Sequence, residues 1–167
     1  MHRPQRIVSG GQTGVDRAAL EAARDVNIAT GGVAPPGFRV SSGCVDLSLR
    51  DDFGLVAQEI GSGGFGAALA ARTRRNIDAS CATLVFRTHD SPGTRLTVAH
   101  CARTRKPCCV VPQGDEDEAM HVILAFLNEH RPRVLNVAGH RDDGTPAAVV
   151  LAARTRRLLV AALKCNS

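Results

Sequence analysis

QRIVSGGQTGVDRAAL, residues 5–20, is the stretch that decides the fold of this chain. Its first part, RIV at residues 6–8, has the composition of a short buried strand. Three glycines follow within residues 9–14, and residues 16–24 are then rich in alanine, the strongest helix former. A strand, a glycine-rich loop and a helix in succession aim backbone N–H groups and the positive end of a helix dipole at an anion, usually a phosphate.

Two better-known phosphate loops do not fit this stretch. No Gly-Lys-Ser/Thr follows, so it is not a Walker loop, and Ser9 stands where the first glycine of GxGxxG belongs. A local explanation exists for two side chains, since Thr13 can cap the helix and Asp16 completes an imperfect capping box. That explanation leaves the three glycines unaccounted for, so anion binding is the favoured interpretation.

A second glycine-rich segment, GSGGFG at residues 61–66, matches GxGxxG in full. The segment before it is a weak strand, and no acidic residue after a strand stands about twenty positions on, where a dinucleotide site needs one. We therefore predict a flexible surface loop at residues 61–66.

Length and composition indicate a globular protein with a single domain, residues 1–167. Apolar residues make up 44% of the chain, an ordinary share. No run of about eighteen apolar residues suggests a transmembrane helix. The basic N-terminus lacks the apolar segment of a signal peptide, so we expect a cytoplasmic location.

The cysteines and histidines argue against a metal site held by protein side chains. None of the six cysteines forms a CxxC pair, and no histidine has zinc-ligand spacing. The net charge of +5 favours an anionic partner, but aromatic residues are only 3% of the chain, too few for base-stacking platforms. A small anionic ligand is therefore favoured over nucleic acid, and no contact with a membrane is expected.

The rest of the chain predicts strands and helices in alternation. Further strands are predicted at residues 28–34, 82–86, 107–111 and 133–137, and helices at residues 67–77, 96–103, 115–130 and 147–163. A short helix is predicted at residues 53–60, and turns at residues 89–94 and 138–141. Such alternation predicts a three-layer α/β sandwich, with a mainly parallel sheet between helices on both faces.

Three loops rich in small and polar residues should share one edge of this sheet, because each follows a predicted strand. They are residues 10–17, 91–94 and 136–141. Ligands of parallel sheets bind outside the carboxyl ends of the strands, so these loops predict a polar, anion-friendly groove. No catalytic residue is predicted, since no histidine has a nucleophile at a recognisable spacing and a solvent or packing role is favoured for each.

Several segments, taken in order, resemble one family. VSGGQTGVDRAALEAA at residues 8–23 is similar to the opening of the molybdenum cofactor carrier proteins. These belong to a Rossmann-like group that includes the lysine-decarboxylase-like and cytokinin-activating LOG proteins. The resemblance covers most of the chain and continues through residues 31–39, Arg72 and Thr73 with Asn76, residues 92–94 and residues 135–139.

The resemblance implies a Rossmann-like fold and a function without catalysis. Such a protein would bind, protect and deliver the molybdenum cofactor, a pterin with a dithiolene and a terminal phosphate, carried as cargo. The family is oligomeric, typically tetrameric, and a molybdoenzyme would be the acceptor of the cargo. A glycine-rich loop would hold the anionic end of the ligand, arginines would neutralise it, and small and polar residues would close the groove.

Carried onto this chain, the resemblance implies fifteen cofactor-binding residues. They are Gly10, Gly11, Gln12, Thr13, Gly14, Asp16, Arg17, Arg39, Arg72, Thr73, Asn76, Gly93, Thr94, Asn136 and Gly139.

A nucleotide-binding protein or a nucleotide phosphoribohydrolase of the LOG type is the alternative. Those enzymes carry PGGxGTxxE, whereas PGT at residues 92–94 is shorter here and Thr97 takes the place of the glutamate. The missing carboxylate argues against hydrolysis. The stretch at residues 47–71 is also longer than is usual in the family.

Overall fold

The computed structural model describes residues 2–164, which form six strands and six helices joined by short loops. Cys165, one of the six cysteines, lies outside the described residues. The strands are Arg6–Val8 (β1), Ala29–Ala34 (β2), Leu55–Ala57 (β3), Ala82–Phe86 (β4), Cys108–Val110 (β5) and Val134–Gly139 (β6). The helices are Val15–Asp25 (α1), Ser48–Asp51 (α2), Gly64–Asp78 (α3), Pro92–Thr104 (α4), Glu116–His130 (α5) and Pro146–Lys164 (α6), with a 3-10 turn at Pro36–Phe38.

The six strands form one sheet in the order β3-β2-β1-β6-β4-β5, and every pairing between them is parallel. Ile7 of β1 lies between Thr30 of β2 and Leu135 of β6. This arrangement confirms the predicted Rossmann-like α/β fold with a parallel sheet.

The path of the chain through the sheet reverses beside β1. The chain moves outward from β1 through β2 to the β3 edge, then crosses to β4 and β5 on the other side. It finally returns to insert β6 between β1 and β4. Loops that leave the carboxyl ends of β1, β4 and β6 diverge at this point, and such a switch point is where open α/β sheets bind ligands.

The two faces of the sheet are covered by helices of different character. Helices α1, α5 and α6 cover the main apolar core on one face of the sheet. Five of its side chains are completely buried, namely Ile7, Leu84, Ile123, Leu135 and Leu159. Helices α3 and α4 contact each other and cover the opposite face, where α3 contacts β2 and α4 contacts β5 and β6. Thr83 and Asn136 are buried outside that apolar core, and the Asn136 side chain donates to the Thr83 hydroxyl at 3.3 Å.

Several local predictions differ from the structure. Residues 53–60 were predicted as a helix, but they contain β3, because Leu55 is buried in a second apolar cluster and β3 pairs with β2 at the sheet edge. Pro92 opens helix α4 instead of a turn, since Ser91 caps the helix and proline is favoured in a first turn. Strand β6 runs through Gly139 because it pairs with β4 from Leu135 to Gly139, which lies opposite Phe86.

The loop predicted at residues 61–66 is only partly a loop, because α3 begins at Gly64. Within residues 2–164, no helix combines the length and the apolar character needed to cross a bilayer.

Candidate functional site

A cavity of about 650 Å³ lies at the switch point of the sheet. Its floor is formed by residues that follow β1, β4 and β6, and its walls come from α3, α4 and α6. Leu69, Leu96 and Leu151 give the walls apolar surface, one from each of these helices. All three loops predicted to share a sheet edge contribute residues to this cavity.

An ion pair between α1 and α3 stands at the inner end of the cavity. Nη1 of Arg72 lies 3.3 Å from Oδ2 of Asp16 and also donates to the carbonyl oxygen of Gly10. The backbone N–H of Gln12 donates to the same Asp16 oxygen at 3.3 Å. The glycine loop, the first turn of α1 and the middle of α3 are therefore joined at one carboxylate.

Both members of this ion pair are largely removed from water. The side chains of Arg72 and Asp16 are 13% and 8% exposed. Burial raises the pKa of the Asp16 carboxyl above its usual range, and the charge of the Arg72 guanidinium opposes that shift. The two charges compensate each other, so the inner end carries no surplus positive charge.

Contacts within the protein account for two glycines of the loop. A Cβ atom on Gly10 would overlap the Arg72 guanidinium. Gly14 has a φ of 93°, and a Cβ atom there would lie 2.6 Å from the backbone nitrogen of Asp142. Both positions therefore need glycine for the fold alone, which the sequence could not separate from a need to approach a ligand.

The N-terminus of α1 is closed by the loop that follows β6. The backbone N–H of Val15 donates to the carbonyl oxygen of His140 at 3.1 Å, and that of Asp142 donates to the carbonyl oxygen of Thr13 at 2.9 Å. The first amide of the helix is thus bound to protein. That amide is therefore not free to bind an anion.

The N-termini of α4 and α6 border the cavity. Pro92 and Gly93 of α4 line it, as do Ala147 and Ala148 of α6. Helix α4 is capped by Ser91, whose hydroxyl accepts from the N–H of residue 94 at 3.2 Å. Two helix dipoles therefore present their positive ends to the cavity.

Three buried polar atoms of the cavity residues find no hydrogen-bond partner among residues 2–164. They are Oε1 of Gln12, Nε of Arg72 and Nε2 of His140. Buried polar atoms are nearly always paired, and an unpaired one costs about 1–3 kcal/mol. A ligand that pairs with these atoms would recover that cost.

Two histidines lie together at the outer end of the cavity. The rings of His89 and His140 are 4.2 Å apart between centroids, and both line the cavity. The backbone N–H of Thr88 donates to Nδ1 of His140 at 3.3 Å. Burial, with the His89 charge second, lowers the pKa of His140 below its ordinary value of 6.5, so the ring stays neutral near pH 7.

Nine of the fifteen predicted binding residues line the cavity. They are Gly10, Gln12, Asp16, Arg72, Thr73, Asn76, Gly93, Asn136 and Gly139.

The other six predicted residues do not line it, and they are Gly11, Thr13, Gly14, Arg17, Arg39 and Thr94.

The two arginines in that second group have partners elsewhere. Arg17 binds Glu21 at 3.0 Å and Asp46 at 2.9 Å. Arg39 donates to the carbonyl oxygen of Gly43 at 3.0 Å on the surface. Arg72 is therefore the predicted arginine that the fold brings to the cavity.

Formal charge in the cavity is balanced. The charged lining residues that the structure describes are Arg72 and Arg141, against Asp16 and Asp143. The net positive charge of the whole chain is thus not concentrated here.

The fifteen predicted binding residues do not include His89, His140, Arg141 or Thr145, all of which line the cavity. The available signal was position, because each lies in a loop that follows β4 or β6.

The fold and the cavity define a doubly wound α/β protein with a ligand crevice at its switch point. The chain belongs to the circularly permutated YpsA SLOG family, cpYpsA, whose sequence profile matches residues 7–162. The permutation is visible in the sheet. If β6 is counted as strand 1 and β1 to β5 as strands 2 to 6, the order becomes 4-3-2-1-5-6, an uninterrupted doubly wound sheet.

One solved structure is similar to this chain over nearly its whole length. It is the crystal structure, at 1.45 Å resolution, of a protein from Syntrophus aciditrophicus SB that is provisionally named a molybdenum carrier. The two chains are 27% identical, with a TM-score of 0.80, and the match covers 98% of this chain and 96% of the other. A comparison with curated proteins gave no match. The family and this structure confirm the resemblance inferred from residues 8–23.

Proposed function

We propose that this protein binds the molybdenum cofactor as cargo in the switch-point cavity, and protects and delivers it without catalysis. The observation that carries the proposal is the cavity, which is lined by nine of the fifteen residues implied by the resemblance and by buried polar atoms that have no partner among residues 2–164. The similarity to a provisionally named molybdenum carrier supports the choice of ligand.

The dimensions and chemistry of the cavity suit such a ligand. A volume of about 650 Å³ falls within the usual range of small-molecule sites. The leucines of the walls offer apolar contact to a planar ring, and the N-termini of α4 and α6 favour a phosphate. Apolar walls of this kind would shield part of a reactive dithiolene from water.

The side chains of the cavity support carriage over hydrolysis. Thr97, at the position of the LOG glutamate, is 2% exposed, and its hydroxyl donates to the carbonyl oxygen of Gly93 at 3.1 Å. The carboxylate of Asp16 is paired with Arg72, and that of Asp143 accepts from the hydroxyl of Thr145 at 2.6 Å. Turnover of AMP by the pure protein, abolished by a cavity mutation, would instead support the alternative of a nucleotide phosphoribohydrolase.

Arg72→Lys tests the proposed site. Lysine keeps the positive charge beside Asp16 but lacks the Nε–H donor, so we expect affinity for the cofactor to fall about tenfold. Cofactor released from a molybdoenzyme would be titrated under anaerobic conditions into the cofactor-free protein, and calorimetry would measure the affinity.

Arg39→Lys is the matched control, since Arg39 lies on the surface away from the cavity, and it should bind as the wild type does. Equal affinity in all three proteins would place the cofactor elsewhere.

Assembly and transfer belong to the same proposal. We propose a homo-oligomer, a tetramer by analogy with the family, that hands its cargo to a molybdoenzyme in the cytoplasm. Light scattering of the purified protein measures the oligomer size, and activation of a cofactor-free molybdoenzyme by the loaded protein measures transfer.

A further inference from the structure

The inner end of the cavity has one acceptor and one donor that find no partner in the part of the chain that the structure describes. The acceptor is Oε1 of Gln12, in a residue that is 7% exposed, and the donor is Nε–H of Arg72. The backbone N–H of Gln12 and Nη1 of Arg72 both donate to Oδ2 of Asp16, each at 3.3 Å, so the two residues contact the same carboxylate, and both line the cavity. A ligand group that reaches this end therefore meets both an acceptor and a donor.

The charges at the inner end disfavour an anion. Asp16 and Arg72 neutralise each other as a pair. A phosphate or an oxo-metal group placed here would lose its hydration without gaining a net positive charge, because the Arg72 guanidinium is already paired with the Asp16 carboxylate. An uncharged group with its own donor and acceptor has a smaller desolvation cost.

At the outer end, the buried atom without a partner among residues 2–164 is a donor. Nδ1 of His140 accepts from the Thr88 amide, so in the neutral ring the proton is carried by Nε2. That Nε2–H finds no acceptor among the described residues. The beginnings of α4 and α6 add positive dipole ends, while the Asp143 carboxylate at this end already accepts from Thr145.

We propose that Gln12 and Arg72 bind the uncharged N–H and C=O edge of the ligand's heterocycle, with the anionic group directed to the outer end. In the molybdenum cofactor this edge is the lactam of the pterin ring. Oε1 of Gln12 would accept from a ring N–H or amino group, and Nε–H of Arg72 would donate to the ring carbonyl. The inference rests on the proposed function for the identity of the ring, and it reverses the orientation expected from the glycine loop.

Gln12→Leu isolates the acceptor with little risk to folding. No hydrogen bond joins the Gln12 side chain to any other residue in the described part of the chain, so leucine of similar size removes no protein contact of that kind. Gln58→Leu is the matched control, because Gln58 contacts Arg75 at the surface and lies outside the cavity. The thermal midpoint of each variant would establish that it is folded.

The probes are 6-hydroxymethylpterin, which carries the ring but no anion, and inorganic phosphate and molybdate, which carry the charge but no ring. We expect Gln12→Leu to weaken binding of hydroxymethylpterin about tenfold, as measured by quenching of pterin fluorescence. The affinities of Gln12→Leu for phosphate and molybdate, measured by calorimetry, should stay within about twofold of the wild type. The control Gln58→Leu should bind all three probes within about twofold of the wild type.

Two results would overturn the inference: unchanged affinity of Gln12→Leu for hydroxymethylpterin, or a loss of phosphate and molybdate affinity as large as the loss for the pterin. Its failure is distinguishable from failure of the proposed function. A protein that binds the intact cofactor but not hydroxymethylpterin refutes the inference alone. A Gln12-dependent pterin site that rejects the intact cofactor refutes the proposed function alone, and a protein that binds neither refutes both.

Discussion

Asp16 and Gly10 illustrate how individual residues of the glycine loop serve both fold and site. The carboxylate of Asp16 accepts from Arg72, which lies 56 positions further along the chain. Gly10 leaves the space in which that arginine approaches the loop. The glycines therefore did indicate that another group lies close to the backbone of this loop. That group is the Arg72 side chain of the protein itself and not a ligand.

Gly10→Ala should lower the free energy of unfolding by about 1–3 kcal/mol, because the added methyl group displaces Arg72 from Asp16. Urea unfolding followed by circular dichroism measures the change. Gly31→Ala is the control, since its Cβ atom would meet its nearest neighbour at an ordinary 3.8 Å. Equal stability of the two variants would mean that the loop tolerates a side chain at residue 10.

His140 should make stability depend on pH below neutrality. Burial and the neighbouring His89 hold its pKa in the folded protein below the ordinary 6.5. Below pH 6.5 the unfolded chain then binds more protons than the folded one, so stability falls as the pH falls towards the folded pKa.

His140→Gln removes this contribution, so we expect a shallower loss of unfolding free energy between about pH 7.5 and about pH 5. Chemical denaturation at several pH values measures it. His121→Gln, at an exposed position on α5, is the control and should keep the wild-type profile. A His140→Gln profile that matches the wild type would contradict the burial of this ring.

At the scale of elements, Asn76 fastens α3 to β2. Strand β1 ends at Val8, which pairs with Gly31, while β2 continues to residue 34. Beyond that point the Asn76 side chain accepts from the N–H of Val33 at 2.7 Å and donates to its carbonyl oxygen at 3.1 Å. The Asn76 amide thus makes the two backbone hydrogen bonds to Val33 that a neighbouring strand would otherwise make.

Asn76→Ala leaves both backbone groups of Val33 unpaired in a buried position, so we expect a loss of about 2–3 kcal/mol of stability. Hydrogen exchange should also be faster at the Val33 amide. Asn128→Ala, at an exposed site on α5, should change stability by less than about 0.5 kcal/mol. If both variants are equally stable, Asn76 does not fasten the two elements.

Element type followed from the sequence where composition was strong. The apolar run at residues 82–86 and the alanine-rich residues 16–24 lie within β4 and α1 as predicted. The failure at residues 53–60 has a tertiary cause, since three residues become a strand only when β2 provides hydrogen-bond partners at the edge. Insertion of β6 between β1 and β4 likewise depends on packing between distant segments, which local pattern does not report.

At the scale of the whole molecule, the three loops that the sequence placed at one edge of the sheet do line one cavity. That prediction was possible because parallel strands all end at the same edge, so three polar loops had to meet there. The sequence could not predict which of the candidate arginines lines the cavity. Arg17 is held by Asp46, a residue 29 positions away, and only the folded chain brings those two side chains together.

Native mass spectrometry of the protein, purified anaerobically from cells that make the molybdenum cofactor, tests the central claim most directly. Metal analysis and fluorescence of the oxidised pterin would accompany it, and a preparation that emerges empty would be titrated with intact cofactor. The account predicts about one molybdenum and one pterin per subunit on a homo-oligomer, with the cofactor lost from Arg72→Lys before Arg39→Lys. A bound nucleotide in place of the pterin, or no uptake of cofactor by the empty protein, would contradict it.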